Sequence, residues 1–326
     1  MKVPQLARRR RSRVALSAAA ALLIPGVLAA CGSSSSGPSP SASASSSSPA
    51  LPSTPGAGHT FYVSLGDSYA AGYQPAANGG LGKTSTNGFA YQLASKATLN
   101  GKKLTLVNFA CAGATTTSLL RTPGCTQDRL GPGAVGYPKQ TQADAAVAYI
   151  ASHKADVGLI TVSISGNDIT SCATASGTSG VVACVTKALA TVKANLHTLL
   201  PRLRAAAPNA RIVGLTYPDV ILGLYVSKTS TGATLAALSV TAFKSLINPA
   251  LKAEYDAVGG SFIDVTDASG GYIPFTQTTS LAPYGTIPTA VAKTCELTYY
   301  CEFHNIHPKT VGYTLIADLI RKSLPA

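Results

Sequence analysis

The sequence predicts an α/β fold, a parallel sheet covered by helices on both faces, and three observations carry that prediction. Short runs of apolar, β-branched and aromatic residues alternate along the chain with longer stretches of helical spacing, the pattern of strands linked by crossover helices. One run, Val157–Ile164 (VGLITVSI), is continuously apolar, as expected of a strand buried on both faces. No repeat is visible, so a single domain is expected rather than an array.

The elements follow in order. The first strand is Thr60–Leu65, and Leu104–Phe109, Val157–Ile164, Arg211–Tyr217 and Ser261–Val265 complete five. Phe89–Ala97, Thr141–Ser152, Val181–Ala206 and roughly Ala233–Ala257 read as helices between them. Pro308 suits a helix's first turn, and Thr310–Lys322 reads as the last helix, with Val311, Leu315, Ile316, Leu319 and Ile320 on one side. Asp267–Cys301 fits no regular element and is expected to be a functional loop. The domain spans residues 59–326.

Residues 1–30 read as an address. Lys2, Arg8, Arg9, Arg10, Arg11 and Arg13 come first, with no acidic residue among them. The apolar segment Val14–Ala30 is interrupted by Pro25 and Gly26 and is short for a membrane span, so it reads as a signal peptide. It closes on Leu28-Ala29-Ala30-Cys31, which resembles the bacterial lipobox. That resemblance implies lipidation of Cys31 as the first mature residue. An ordinary cleavage site beside an incidental cysteine is the alternative, and the export route is open. Residues 31–58 are mostly Ser, Pro, Ala and Gly, too poor in apolar surface to offset the entropy of ordering. A tether is expected there. The chain is therefore expected in the bacterial cell envelope, lipid-anchored to the outer face of the cytoplasmic membrane, or secreted.

The formal charge of +13 overstates how basic the domain is. Without the six leader residues, 20 basic and 13 acidic residues remain, a net of +7, with no Lys/Arg stripe. No nucleic-acid partner is expected on that footprint, and a monomer is expected. Beyond Cys31 there are six cysteines, Cys111, Cys125, Cys172, Cys184, Cys295 and Cys301. An even number in an exported chain suggests disulfides. Many connectivities are open, and pairing sequence neighbours is the simplest. There is no CxxC and no third ligand to join His304 and His307, so no metal is expected.

Four motifs stand at the ends of predicted elements, where open α/β sheets bind ligands. After the first strand comes Gly66-Asp67-Ser68-Tyr69-Ala70-Ala71-Gly72, a turn that can present a serine hydroxyl at a helix start or serve only as an N-cap. After the second comes Cys111-Ala112-Gly113-Ala114-Thr115-Thr116, whose glycine lets a backbone N–H approach a ligand. After the third comes Ser165-Gly166-Asn167-Asp168. Its side-chain amide can donate to an oxyanion, although an Asn/Asp turn alone has the same composition. Before the last helix comes His304-Asn305-Ile306-His307-Pro308-Lys309-Thr310-Val311-Gly312-Tyr313.

Taken together and in this order, these motifs resemble the four blocks of the SGNH/GDSL hydrolase family, in its secreted actinobacterial esterase/lipase branch. The resemblance runs from about Phe61 to Ile320. It implies a flavodoxin-like three-layer sandwich with five parallel strands and a serine ester hydrolase acting through an acyl-enzyme, with no cofactor. It implies Ser68 as nucleophile, His307 as general base, and an oxyanion hole made of the Ser68 and Gly113 N–H groups and the Asn167 side chain. Two positions depart from the family's pattern. Ser165 stands where a glycine is usual, and His304 stands where the triad's aspartate is usual. The expected acceptor on His307 is therefore the His304 carbonyl, with Glu302 as competitor.

The resemblance covers lipases, esterases and carbohydrate deacetylases. Esters of an apolar acyl chain, lipid esters included, are the expected substrates. A carbohydrate O-deacetylase and a catalytically silent envelope-binding lipoprotein are the alternatives. Tyr272, Phe275, Tyr284, Tyr299 and Tyr300 are candidates to line an acyl pocket or sugar platform, or simply to pack their loop. Gly131–Gly136 matches GxGxxG but follows no predicted strand, and neither GxSxG nor HExxH is present.

Overall fold

A computed structural model describes residues 52–325 except 175 and 176. Residues 1–30, expected to be a signal peptide, Cys31 and most of the expected tether lie outside the described residues. The last tether residues are bound to the domain: Tyr149 donates to the Pro52 carbonyl and Thr105 to that of Pro55.

The central sheet consists of β1 (His59–Gly66), β2 (Thr98–Leu99), β3 (Lys102–Asn108), β4 (Val157–Ser163), β5 (Arg211–Leu215) and β6 (Ser261–Ile263), in the order β2-β3-β1-β4-β5-β6. Five strands are parallel, as expected. The sixth, β2, was not foreseen and pairs antiparallel with the start of β3. Its cause is local: Asn100 and Gly101 both take positive φ, the hairpin turn that an Asn-Gly pair favours.

Counted by parallel strands alone, the order is 2-1-3-4-5, which is flavodoxin-like and reverses at β1. The crevice at that reversal lies beyond the carboxyl ends of β1, β3 and β4.

β1 is buried along nearly its whole length, and its side chains divide between two cores. Phe61, Val63 and Leu65 enter one core with Leu119, Ile150, Val192, Leu199 and Leu251. These belong to helices α3 (Thr116–Arg121), α4 (Gln142–Ser152), α6 (Gly177–Ala206) and α8 (Asn248–Asp256). Tyr62 enters the other with Phe89 and Leu93 of α2 (Phe89–Lys96) and with Tyr313, Ile316 and Ile320 of the C-terminal helix Thr310–Ser323. That helix buries Gly312, Tyr313, Ile316, Ala317 and Ile320. Its face is turned from the one read in the sequence, and Val311 is exposed.

The stretch 267–301 is more regular than expected. It holds a hairpin, Thr278–Leu281 with Gly285–Pro288, and a helix, Thr289–Leu297. Ile287, Ala290, Val291, Ala292 and Cys295 pack a small third core with Leu222 and Ala236. Elements this short leave little periodicity to read.

The disulfides are Cys111–Cys125, Cys172–Cys184 and Cys295–Cys301, the simplest pairing. They fit an oxidising compartment and therefore an exported protein. All strands, helices and disulfides among the described residues belong to the compact unit Ser47–Ala326, which thus contains its own core and cross-links.

Candidate active site

The site is built on the turn that follows β1. Gly66 has φ +145°, and a Cβ there would overlap the Ser163 carbonyl on β4, so the turn needs glycine. Buried Gln142 clamps the turn, accepting from the Gly66 N–H (2.8 Å) and donating to the Gly66 carbonyl (3.0 Å).

Asp67 caps the single-turn helix α1 (Ser68–Ala71) by accepting from the Tyr69 N–H, and its other oxygen accepts from the Tyr217 hydroxyl at 2.7 Å. Burial pushes the Asp67 carboxyl up to about 7 against the pull of those two donors. Ser68 is held at the mouth of this framework, and its N–H has no acceptor among the described residues.

Two further loops converge on Ser68. The Cys111 N–H donates to the Gly66 carbonyl, which fixes the loop after β3. Gly113 lies in the left-handed region at φ +78°, with the Arg129 guanidinium 2.6 Å from where a Cβ would stand, and its N–H also lacks an acceptor among the described residues. After β4, Asn167 opens the short helix α5 (Gly166–Thr170) and donates from Nδ2 to the Ala114 carbonyl at 2.8 Å. The second N–H of that amide remains for another acceptor.

Asp168 ties the two loops together, accepting from the Thr116 N–H (2.9 Å) and hydroxyl (2.6 Å). Ser165, in the place of the family's glycine, takes φ +111°, a conformation that disfavours any side chain.

His307 arrives from the C-terminal end. Its Nε2 lies 2.8 Å from Ser68 Oγ, and its ring is flanked by Tyr73 and Tyr69, with centroids at 4.5 and 6.1 Å. The acceptor behind it corrects the expectation. It is the Asn305 side chain: Oδ1 is 2.7 Å from His307 Nδ1 and 3.1 Å from the His307 backbone N–H.

A backbone N–H can only donate, so the atom facing it is the amide oxygen. Nδ1 must then carry the proton, and Nε2 is left as the acceptor for the serine hydroxyl. Glu302 is engaged elsewhere, in an ion pair with Lys309. His304 has φ +52° at a helix end, and its carbonyl makes no bond to His307. No charge on Asn305 offsets the loss of water around the imidazole, and burial pushes His307 down to about 4.

The four motif residues are thus brought together. Asn305, Gln142, Asp168 and Tyr217 complete the setting and were not singled out in the sequence. Asn305 had a readable signal, because Asn side chains commonly accept from the backbone two residues on.

Beside Ser68 and Asn167 opens a cavity of about 320 Å³, lined by Ile169, Val185, Tyr217, Val220, Leu224 and Ile247 among others. None of Tyr272, Phe275, Tyr284, Tyr299 or Tyr300 lines it. They pack elsewhere: Phe275 and Tyr284 join the third core, Tyr299 stacks on Phe303, and the Tyr272 hydroxyl bonds Asn248 and Asp264. No cluster able to hold a metal occurs among the described residues.

The arrangement sets a serine hydroxyl against a histidine ring nitrogen, with the Gly113 loop and the Asn167 amide beside them. The family profile of GDSL-like lipase/acylhydrolases matches residues 64–315, so the chain belongs to that family and is an SGNH-type ester hydrolase. No curated protein matches it. Similar solved structures include an extracellular lipase from Streptomyces rimosus, at 20% identity over 81% of this chain and 99% of that one, with TM-score 0.48. Another is phospholipase A1 from Streptomyces albidoflavus NA297, at 18% identity over 81% and 99%, with TM-score 0.47. A third is a family two carbohydrate esterase from Clostridium thermocellum, at 14% identity over 81% and 63%, with TM-score 0.40.

Proposed function

We propose that the protein hydrolyses carboxylic esters of an apolar acyl chain, with Ser68 as nucleophile, His307 as general base and acid, and Asn305 as the residue that orients His307. One observation carries this reading: the 2.8 Å contact between Ser68 Oγ and His307 Nε2 opens onto a cavity walled by aliphatic side chains. A sugar-binding cleft would offer polar groups to hydroxyls, and an apolar wall suits an alkyl chain.

The steps follow from the donors and acceptors. Ser68 Oγ attacks the ester carbonyl carbon while His307 Nε2 takes its proton. The carbonyl π electrons move onto oxygen, which the Ser68 and Gly113 N–H groups and the Asn167 amide stabilise. The imidazolium then gives its proton to the leaving alkoxide as the C–O bond breaks, releasing the alcohol and leaving acyl-Ser68. Water repeats the sequence with His307 as base and frees the carboxylic acid.

The experiment is a series of p-nitrophenyl esters of rising chain length set beside acetylated sugars. kcat/KM should climb from acetate to the medium-chain esters. A preference for acetylated sugars would overturn the acyl-chain reading and leave the deacetylase. Labelling of Ser68 by a fluorophosphonate is also expected, and its absence would favour a catalytically silent envelope-binding lipoprotein. For the chain as a whole we propose a monomer tethered to the membrane through acylated Cys31. Mass spectrometry of the mature N-terminus would test the anchor.

A further inference from the structure

Five large apolar side chains stand exposed among the described residues, and three of them belong to one rim. Val182 is 50% exposed, Leu246 49% and Leu238 36%, and all three line the mouth of the cavity beside Ser68. Exposed apolar side chains scattered singly need no explanation, but a group around an opening marks a surface that meets something apolar. The three come from two separate elements. Val182 is on α6. Leu238 and Leu246 are on the continuous helix Ser230–Asp256, made up of α7 (Ser230–Ala242), a π-helical turn (Phe243–Ile247) and α8. Only 22% of that helix's most apolar window is buried, so its apolar character exceeds what the core uses.

Two lysines stand near the rim. Lys187 lies little more than a turn beyond Val182, and Lys244 lies between the cavity residues Phe243 and Leu246. Both are exposed, and among the described residues neither has an ion-pair partner, while Lys244 Nζ lies 5.5 Å from the centroid of the Tyr272 ring. Long cationic side chains flanking exposed aliphatic ones are the composition of a surface that rests on anionic lipid: the apolar groups enter the acyl boundary and the ammonium groups remain among the headgroups.

We infer that the cavity rim is a membrane-docking surface. Val182, Leu238 and Leu246 enter the outer layer of an anionic phospholipid bilayer, and Lys187 and Lys244 meet its headgroups. An acyl chain then passes from the bilayer into the cavity without crossing water. The inference rests on the acyl-chain reading of the cavity. It is distinct from any anchor at the N-terminus, because the rim residues belong to the folded unit.

The test uses the compact unit Ser47–Ala326 with its disulfides oxidised, carrying Ser68→Ala so that lipid is not consumed, in co-sedimentation with vesicles. Phosphatidylglycerol–phosphatidylcholine vesicles should carry the protein down, and phosphatidylcholine alone should do so much less. Lys187→Glu with Lys244→Glu should lower the partition into anionic vesicles by about tenfold or more. The same lysine pair placed in the active enzyme should leave kcat/KM on a water-soluble short-chain ester within about twofold. Leu238→Asp with Leu246→Asp should lower the partition at least as much, because the inserted area is lost.

Equal sedimentation of the parent and both double variants would overturn the docking inference. So would self-association that the leucine changes abolish while vesicles stay unbound, since the face would then belong to a second copy. If vesicles bind as expected but the chain-length series is flat, docking stands and the acyl-chain reading falls. If long-chain esters are preferred but vesicles never bind, the reverse holds.

Discussion

The catalytic edge of the sheet and the wall of the cavity lie side by side, yet they are held by different physics. At the edge almost every polar group has a named partner. Gln142 clamps Gly66, Tyr217 donates to Asp67, Asp168 binds Thr116, and Asn305 fixes His307. Each tie is short and directional, and two of the four are fully buried, so a small displacement leaves a donor or acceptor unpaired. The cavity wall has aliphatic side chains from α5, α6 and the 230–256 helix, with scarcely a polar contact between them. Its shape rests on packing, which tolerates exchange of one aliphatic residue for another. Chemistry should therefore be brittle at the edge, whereas selectivity should be adjustable at the wall.

The largest effects are expected at the edge. On the proposed mechanism, Asn167→Ala removes a donor that acts mainly once the oxyanion forms. It should lower kcat by about 10²–10³-fold with little change in KM, and steady-state kinetics with a soluble ester would check it. A near-normal kcat would remove Asn167 from the mechanism.

Asn305→Ala should come next, at about 10–10²-fold in kcat, because the imidazole loses the acceptor that sets its tautomer and angle. His304→Ala and Glu302→Ala should keep most activity. The charge at position 305 gives a sharper readout. On the proposed mechanism activity needs neutral His307, so it should fall as pH drops through the histidine pKa, which burial pushes down to about 4. Asn305→Asp places a carboxylate behind the ring and favours the imidazolium, so the acidic limb of kcat/KM should move to higher pH. An unmoved limb would dissociate Asn305 from the base.

What the sequence disclosed follows the same division. The four motifs name their residues because each sits at a strand or helix end, where chemistry demands a particular side chain: Gly66 under Ser68, Gly113 for its free N–H, Asn167 for its amide. The partners that hold them were harder to see. Gln142 is an unremarked residue near the start of a helix, and Tyr217 ends a strand. Only the fold brings them within 2.8 and 2.7 Å of the site. The acceptor on His307 was misjudged because the family's pattern drew attention to position 304 when the adjacent Asn305 had the right reach. The cavity wall was illegible for a physical reason. Leu224, Val185 and Ile247 have the composition of any core helix, and nothing local separates a side chain facing a void from one facing a neighbour.

The wall should show smaller and more selective changes. Val185→Phe adds bulk to the lining without touching the Ser68–His307 pair. It should lower kcat/KM for long-chain esters by about tenfold relative to short-chain ones, since a displaced methylene or two is worth about 1–3 kcal/mol. A chain-length series on the two proteins would check it. An equal loss on every ester would mean that the wall and the edge are not independent.

The smallest effect tests the boundary between the two regions. Ser165 is the first residue after the β4 run to carry strain, with φ +111° and only 1% exposure, two positions before Asn167. It also lines the cavity, so it belongs to both regions. A side chain held in that part of backbone space costs on the order of 1–3 kcal/mol, and glycine relieves it while adding entropy to the unfolded chain, a loss of roughly 0.5–1 kcal/mol. Ser165→Gly should therefore raise stability by about 1 kcal/mol, or about 2–4 °C in Tm for a domain of this size, as measured by thermal unfolding with the disulfides intact. If Asp168 and the Ala114 carbonyl alone position Asn167, kcat should be unchanged. A variant that is more stable but slower would show that the strained backbone at Ser165 helps aim the oxyanion donor. A lower Tm would show that the serine side chain contributes more to the wall than its strain costs the turn.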